Sequence, residues 1–417
     1  MTLASATATA DAANPAVSPA TRRSILLLSF ATFASMVAQR ICDAMLPELS
    51  RTFSVSLAQA AQVVSVFAVV YGLSQLIYGP LGDRLGKFGV VTWATLACSV
   101  GSVVAVFADS LNMLVLARVM VALGAAAIIP LAMAWIGDEV AYGQRQETLA
   151  RVGLGTTLGI VGGQLFGGVI TDTLGWRWAF GLMTLLFGVV GALLYVDWRR
   201  QSAGRVQQAS ALEGRPGFVS QALIIITGQW TRIVLLTAFI EGVAGFGVLA
   251  IWASHLNQHL SLSLSAAGAI VALFGLGGML YMLVARQLIR RLGEGGLALV
   301  GGCVLGLCSL VFGLSPHWAL TLPASVVAGF GFFMFHNTMQ TNATQMAPNA
   351  RGTGVSMFAL ALFMGQSVGV LLAAWLLGYL ASGVVIAVGG GIMAALGAFF
   401  ALALRRRDAL IGRQSAR

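Results

Sequence analysis

Apolar residues run along this chain in stretches of about 20, each long enough for a helix to cross the hydrocarbon core of a bilayer. The stretches fall near 24–47, 59–80, 88–108, 112–136, 152–172 and 177–197, then 231–254, 265–288, 296–314, 318–341, 353–380 and 383–404. Short breaks rich in Gly, Pro, Asp and Arg separate them. The longest polar segment, Trp198 to Gln229, divides the stretches into two sets of six. Within it, the apolar patch Ala222 to Thr227 suits a short helix lying on a membrane surface. The pattern predicts an all-α membrane protein of about twelve transmembrane helices. They form two pseudo-symmetric six-helix bundles, residues 21–198 and 231–405, joined by a linker at 199–230. Residues 1–20, rich in Ala, Thr and Ser, predict a disordered tail, and 406–417 a second tail.

The two halves repeat one another. Arg84-Leu85-Gly86-Lys87 closes the second stretch as Arg291-Leu292-Gly293-Glu294 closes the eighth. Gly163-Gln164-Leu165-Phe166-Gly167 lies in the fifth stretch and Gly365-Gln366-Ser367-Val368-Gly369 in the eleventh. Both matches span nearly the same length of chain, which argues for an internal duplication. Duplicated bundles with a site between them are a common architecture for alternating-access carriers.

Composition agrees. Hydrophobic residues fill 58% of the 417 positions and charged residues 9%, against about 25% charged in soluble domains. The net charge of +10 invites nucleic acid, but its placement argues against that partner. Basic residues gather at Arg22-Arg23, Arg84 to Lys87, Arg145 to Arg151, Arg199 to Arg215, Arg286 to Arg291, Arg351 and Arg405 to Arg407. These are alternate loops and the two ends; the intervening loops hold little beyond Arg51 and Arg177. That asymmetry predicts a multi-pass protein with both termini in the cytoplasm. Abundant Arg and Ala with little Lys fit a GC-rich bacterial genome, hence a bacterial inner membrane. Cys42, Cys98, Cys303 and Cys308 lie in apolar runs without metal-ligand spacing and read as packing residues. No Gly-x4-Gly-Lys-Ser/Thr loop, Ser/His pattern or His-x-x-Glu-His motif is present, so neither nucleotide energy, catalysis nor a cofactor is expected.

The few charges inside the stretches carry the candidate chemistry. Glu241 lies deep in the seventh, where an ionised carboxylate costs several kcal/mol unless paired or hydrated. A proton carrier needs such a group; a structural carboxylate bonded to a neighbouring helix is the alternative. Arg40 and Asp43, three apart, share a face of the first stretch. They suit either a second proton site or a structural pair. Arg118 has no acid near it on its own helix, so its partner comes from another; it either tunes an acid or braces the bundle. His336 and Gln340 share a face of the tenth stretch with Asn337 beside them, and suit substrate contact or interhelical bonding. Gln164 and Gln366 stand at repeat-related places as cavity candidates. Phe67, Tyr71, Phe246 and Trp252, with Phe333 and Phe335, offer aromatic surface for an apolar or planar ligand or for packing.

Gly79, Leu81, Asp83, Arg84, Gly86 and Lys87 match the loop signature of the major facilitator superfamily, with Phe88 where a second basic residue is usual. Arg118 before Gly124, and Gly159, Gly163, Gly167 and Gly168 with Gln164 in place of a proline, resemble the fourth- and fifth-helix signatures of its drug:proton antiporters. Arg40 to Asp43 with Leu46-Pro47, and His336-Asn337, resemble a bacterial subgroup that includes purine-nucleoside efflux pumps. The resemblance covers essentially the whole chain. It implies that Asp83 docks near Gly352-Thr353 at the start of the eleventh helix, paired with Arg145 or Arg151, and latches the cytoplasmic side. It also implies a monomeric secondary transporter that exports a small organic molecule in exchange for protons. The alternative is a symporter or facilitator importing a nutrient.

Overall fold

The computed structural model describes residues 18–202, 223, 225–347 and 351–415. The expected tail at 1–17, most of the 199–230 linker with Arg205 and Arg215, and the last two residues lie outside them. The described residues form α1 (Pro19–Arg40), α2 (Leu46–Thr52), α3 (Leu57–Ala60), α4 (Gln62–Leu85), α5 (Lys87–Val106), α6 (Leu111–Glu139), α7 (Tyr142–Thr173) and α8 (Trp176–Ser202). The second half holds α9 (Gln229–Glu241), a π-helical segment (Gly242–Gly247), α10 (Trp252–His259), α11 (Leu264–Leu314), α12 (Trp318–Gln345), α13 (Arg351–Leu376) and α14 (Ser382–Ser415). Helix therefore begins at Pro19, inside the expected tail, and runs to Ser415. Ser18 caps α1 by accepting from Thr21 N at 3.1 Å, and such a cap satisfies an otherwise free N–H.

Among the described residues, ten helices are long and apolar enough to cross a membrane. One of them, α11, is two limbs meeting at Gly293, whose φ of 63° lies outside the helical range. Gly86, its repeat mate, ends α4 with φ 87°. Residues with a Cβ rarely adopt this conformation, so glycine sets both reversals. Helix α1, carrying Arg22, Arg23 and Arg40, is long but less apolar.

Packing repeats with the sequence. Helix α1 lies on α7 as α9 and the π-segment lie on α13; α5 lies on α6 and α8 as α11 lies on α12 and α14. The seams are built by glycine. A side chain at Gly163 or Gly167 would strike the carbonyls of Val37 or Ile41; one at Gly365 or Gly369 would strike those of Phe239 or Val243. Each carbonyl in the second half stands at the same distance along the chain from its counterpart as the glycines do. Small residues of this kind let membrane helices approach backbone to backbone. Each half has its own apolar core. The halves meet where α7 crosses α11 and α4 crosses α13.

Polar clasps close each half at the face that carries the termini. Arg23 pairs with buried Asp197, which also accepts from Ser24 and Gln201. Lys87 reaches Asp138 at 2.5 Å. In the second half Asn342 bonds Glu294 at 3.0 Å, and Arg407 bonds Asn342 at 2.9 Å while lying over Trp230.

Candidate functional site

The first helix of each half breaks at related positions. In α1 regular helix ends at Arg40 and residues 41–45 form a turn; in α9 it ends at Glu241 and gives way to the π-segment. Discontinuous helices near the middle of a bundle free backbone groups and place polar side chains toward the interface between repeats.

At the first break Arg40 Nη1 lies 3.3 Å from Asp43 Oδ2, both side chains 1% exposed. Gln164 Nε2 of α7 donates to the same oxygen at 2.8 Å. The Arg40 guanidinium sits 4.4 Å over the ring of Phe246, which belongs to the other half. Phe246 in turn meets the edge of His336, ring centres 5.9 Å apart. His336 Nδ1 is 2.7 Å from Glu241 Oε1, and Glu241 is wholly buried. Phe332 stacks flat on the imidazole at 5.5 Å, with Phe358 beside it at 6.1 Å. A continuous line of groups thus runs Gln164–Asp43–Arg40–Phe246–His336–Glu241, crossing from one half to the other.

Each acid keeps spare capacity. Glu241 Oε2, Asp43 Oδ1 and Gln164 Oε1 are buried without a hydrogen-bond partner. Buried acceptors left empty are costly, so this line favours an arriving proton or N–H donor. His336, with its side chain 14% exposed, is the ionisable group on the line that water reaches.

The other predicted residues sort themselves by geometry. Arg118 forms no ion pair among the described residues, although its charge acts on Asp43: Nη1 donates to Ala38 O at 2.7 Å and Nε to Val63 O at 3.1 Å, with Phe67 4.1 Å beneath the guanidinium. The turn after Arg40 loosens the backbone around that carbonyl, and a planar five-donor group is suited to bridge two helices. Tyr71 packs on Phe67 and, across the halves, on Phe363. Gln366 accepts from Gln39 across the halves at 3.5 Å, and Ser65 meets Ser367 at 2.8 Å. Trp252 is not at the interface; it stacks on Phe312 inside the second core, because a wide apolar ring fills a gap among α10 and α11. Asn337 is half-buried and Gln340 exposed. Gly159, Gly163 and Gly167 face α1, whereas Gly168 faces Leu264 of the other half.

Asp83 keeps an ion pair within its own loop. It pairs with Lys87 one turn away at 3.4 Å, while Arg151 bonds Glu147 at 2.6 Å and Arg145 reaches Val140 O at 3.4 Å. Among the described residues, hydrogen bonds join the halves toward the face opposite the termini: Gln39–Gln366, Ser65–Ser367 and Asp172–Ser265. Sequence reasoning missed Gln39, which stands at the repeat position of Glu241, and the Phe332–Phe358 surround of His336.

This fold, with a broken-helix polar line between two repeats, defines a membrane carrier. The Major Facilitator Superfamily model matches residues 28–362, and the chain belongs to that family. Among its relatives, an uncharacterized transporter of the superfamily from Bacillus subtilis, YwfA, is 22% identical over 292 residues, 70% of this chain and 69% of that protein. The multidrug export protein EmrB of Escherichia coli is 27% identical over 201 residues, 48% of this chain and 38% of EmrB. A crystal structure of a bacterial homologue of the human lysosomal transporter Spinster, inward-facing and unoccupied, superposes with a TM-score of 0.68 at 19% identity, over 92% of this chain and 96% of that one.

Proposed function

We propose that this transporter exports a small organic molecule in exchange for protons by alternating access, with both termini in the cytoplasm of a bacterial inner membrane. The observation that carries the reading is the 2.7 Å contact between wholly buried Glu241 and His336. With imidazole neutral and carboxylate ionised, the pair holds a net negative charge away from water, a costly state. One added proton makes it neutral overall. A substrate that satisfies the carboxylate does the same work, so proton and substrate replace one another. Asp43, tied to Arg40 and Gln164, is the second proton site. The half-buried ring of Phe246 and the rings around His336 give the cargo an apolar, planar-tolerant wall.

Energy comes from the membrane gradient. Each charge falling through 100 mV releases about 2.3 kcal/mol, enough to hold a substrate gradient of about fifty-fold. The name of EmrB supports the outward direction. The contacts on the face opposite the termini support an inward-facing state like that named for the Spinster homologue.

The test is purified protein in liposomes loaded with a pH-sensitive dye and offered drugs, nucleosides and sugars under an imposed proton gradient. Proton movement opposite to cargo is expected. Cargo crossing without proton movement removes the coupling, and cargo moving with protons gives the importer instead.

A further inference from the structure

Asp172 stands in the last turn of α7, and its Oδ2 accepts from Ser265 Oγ at 2.7 Å and from Ser265 N at 3.4 Å. Ser265 lies in the first turn of α11, in the other half of the protein. N–H groups there lack intrahelical acceptors, and the helix dipole favours a negative charge. The cap residue Ser263 takes Ala266 N at 3.2 Å, and α11 has no acid of its own in that turn. The carboxylate from α7 fills that place.

The position is tied to the central site. Gln164, Gly168 and Asp172 are spaced four apart and so share one stripe of α7. Gln164 holds Asp43. A side chain at Gly168 would strike Leu264 O, and one at Gly268 would strike Gln164 O, so the two helices cross there backbone to backbone. Asp172 then reaches the end of α11. Asp172 is exposed, so it can release without stranding a charge in lipid. Packing does not require an acid here. Ala374, separated from Asp172 as Gln366 is from Gln164, is a buried alanine packed into the core of the first half.

We propose that Asp172 is a positioning residue of the transport cycle: docked on the N-terminus of α11, it holds the face opposite the termini shut and lets go when that face opens. This rests on the alternating-access part of the proposed function alone, and on neither proton coupling nor cargo identity.

The test places spin labels at Asn112→Cys and Tyr379→Cys, with the four native cysteines replaced, and reads distance populations in nanodiscs across pH. Losing a charged hydrogen bond at an exposed site should raise the population open at that face about three- to tenfold in Asp172→Asn, with Asp172→Glu restoring it. Separately, an oxidised Asp172→Cys/Ser265→Cys pair should stop transport until reductant is added. If the face opens in the parent but Asp172→Asn leaves the populations unchanged, or if the cross-linked protein transports at full rate, the latch falls alone. If the face stays shut in every condition, alternating access falls and takes the latch with it.

Discussion

Glu241 Oε1 and His336 Nδ1 lie 2.7 Å apart, joining the last residue of α9 to the middle of α12. The pair sits where regular helix gives way to the π-segment, so neither side chain can move far without moving a helix. Glu241→Gln preserves shape and hydrogen bonding but removes the exchangeable proton. Cargo movement driven by a pH gradient should fall to the level of empty vesicles, while cargo–cargo exchange without a gradient continues. Unchanged pH dependence in this variant would sink the role given to Glu241.

Asp43 and Arg40 form a buried pair, and removing one partner strands the other. Asp43→Asn should cost about 3–5 kcal/mol of stability, seen as lower yield and an earlier thermal transition in fluorescence-detected gel filtration. Arg40→Gln combined with Asp43→Asn should recover much of that loss. A double variant no more stable than the single one would show that the pair does not brace the break in α1.

Asp83 rests on Lys87 in this state. We propose that docking at the start of α13, which the family resemblance implies, belongs to the state closed on the termini side. Asp83→Asn should therefore abolish turnover while leaving the amount of protein in the membrane unchanged. Both are read from the same membrane preparation, by transport assay and quantitative blotting. Full-speed transport by the variant would remove the second latch.

Gly365 receives the carbonyl of Phe239 where its side chain would be. Gly365→Val forces the seam apart, and overpacking of this sort costs about 1–3 kcal/mol or more. Gly163→Val should behave alike. Gly391, with nothing within 4 Å of its missing Cβ, should accept alanine with a gain of up to about 1 kcal/mol. Equal thermal midpoints for Gly365→Val and Gly391→Ala would contradict the seam.

Much of the fold was legible because apolar length and charge placement are local properties. The repeat was legible from Gly163-Gln164 against Gly365-Gln366, and the glycine reversals from Arg-Leu-Gly at both positions. The helix breaks were not. Spans drawn at 24–47 and 231–254 run straight through the turn after Arg40 and the π-segment after Glu241, because hydropathy does not register a change in hydrogen-bond pattern. Glu241 and His336 were both singled out, yet in separate roles, since only tertiary packing sets their distance. The place of Trp252 was not legible because the same apolar bulk fills a core or lines a cavity. Asp172, at the end of the 152–172 stretch, carries no signal of its own in the sequence, for its meaning depends on a helix end from the other half.

The matched seams of Gly163–Val37 and Gly365–Phe239 lock α1 onto α7 and α9 onto α13 backbone to backbone. In the proposed cycle, movement started by a proton arriving beside Phe246 meets these close seams first. The proposed alternation then appears as a turn of one bundle against the other, with the backbone-to-backbone crossing of Gly168 and Gly268 as its natural fulcrum.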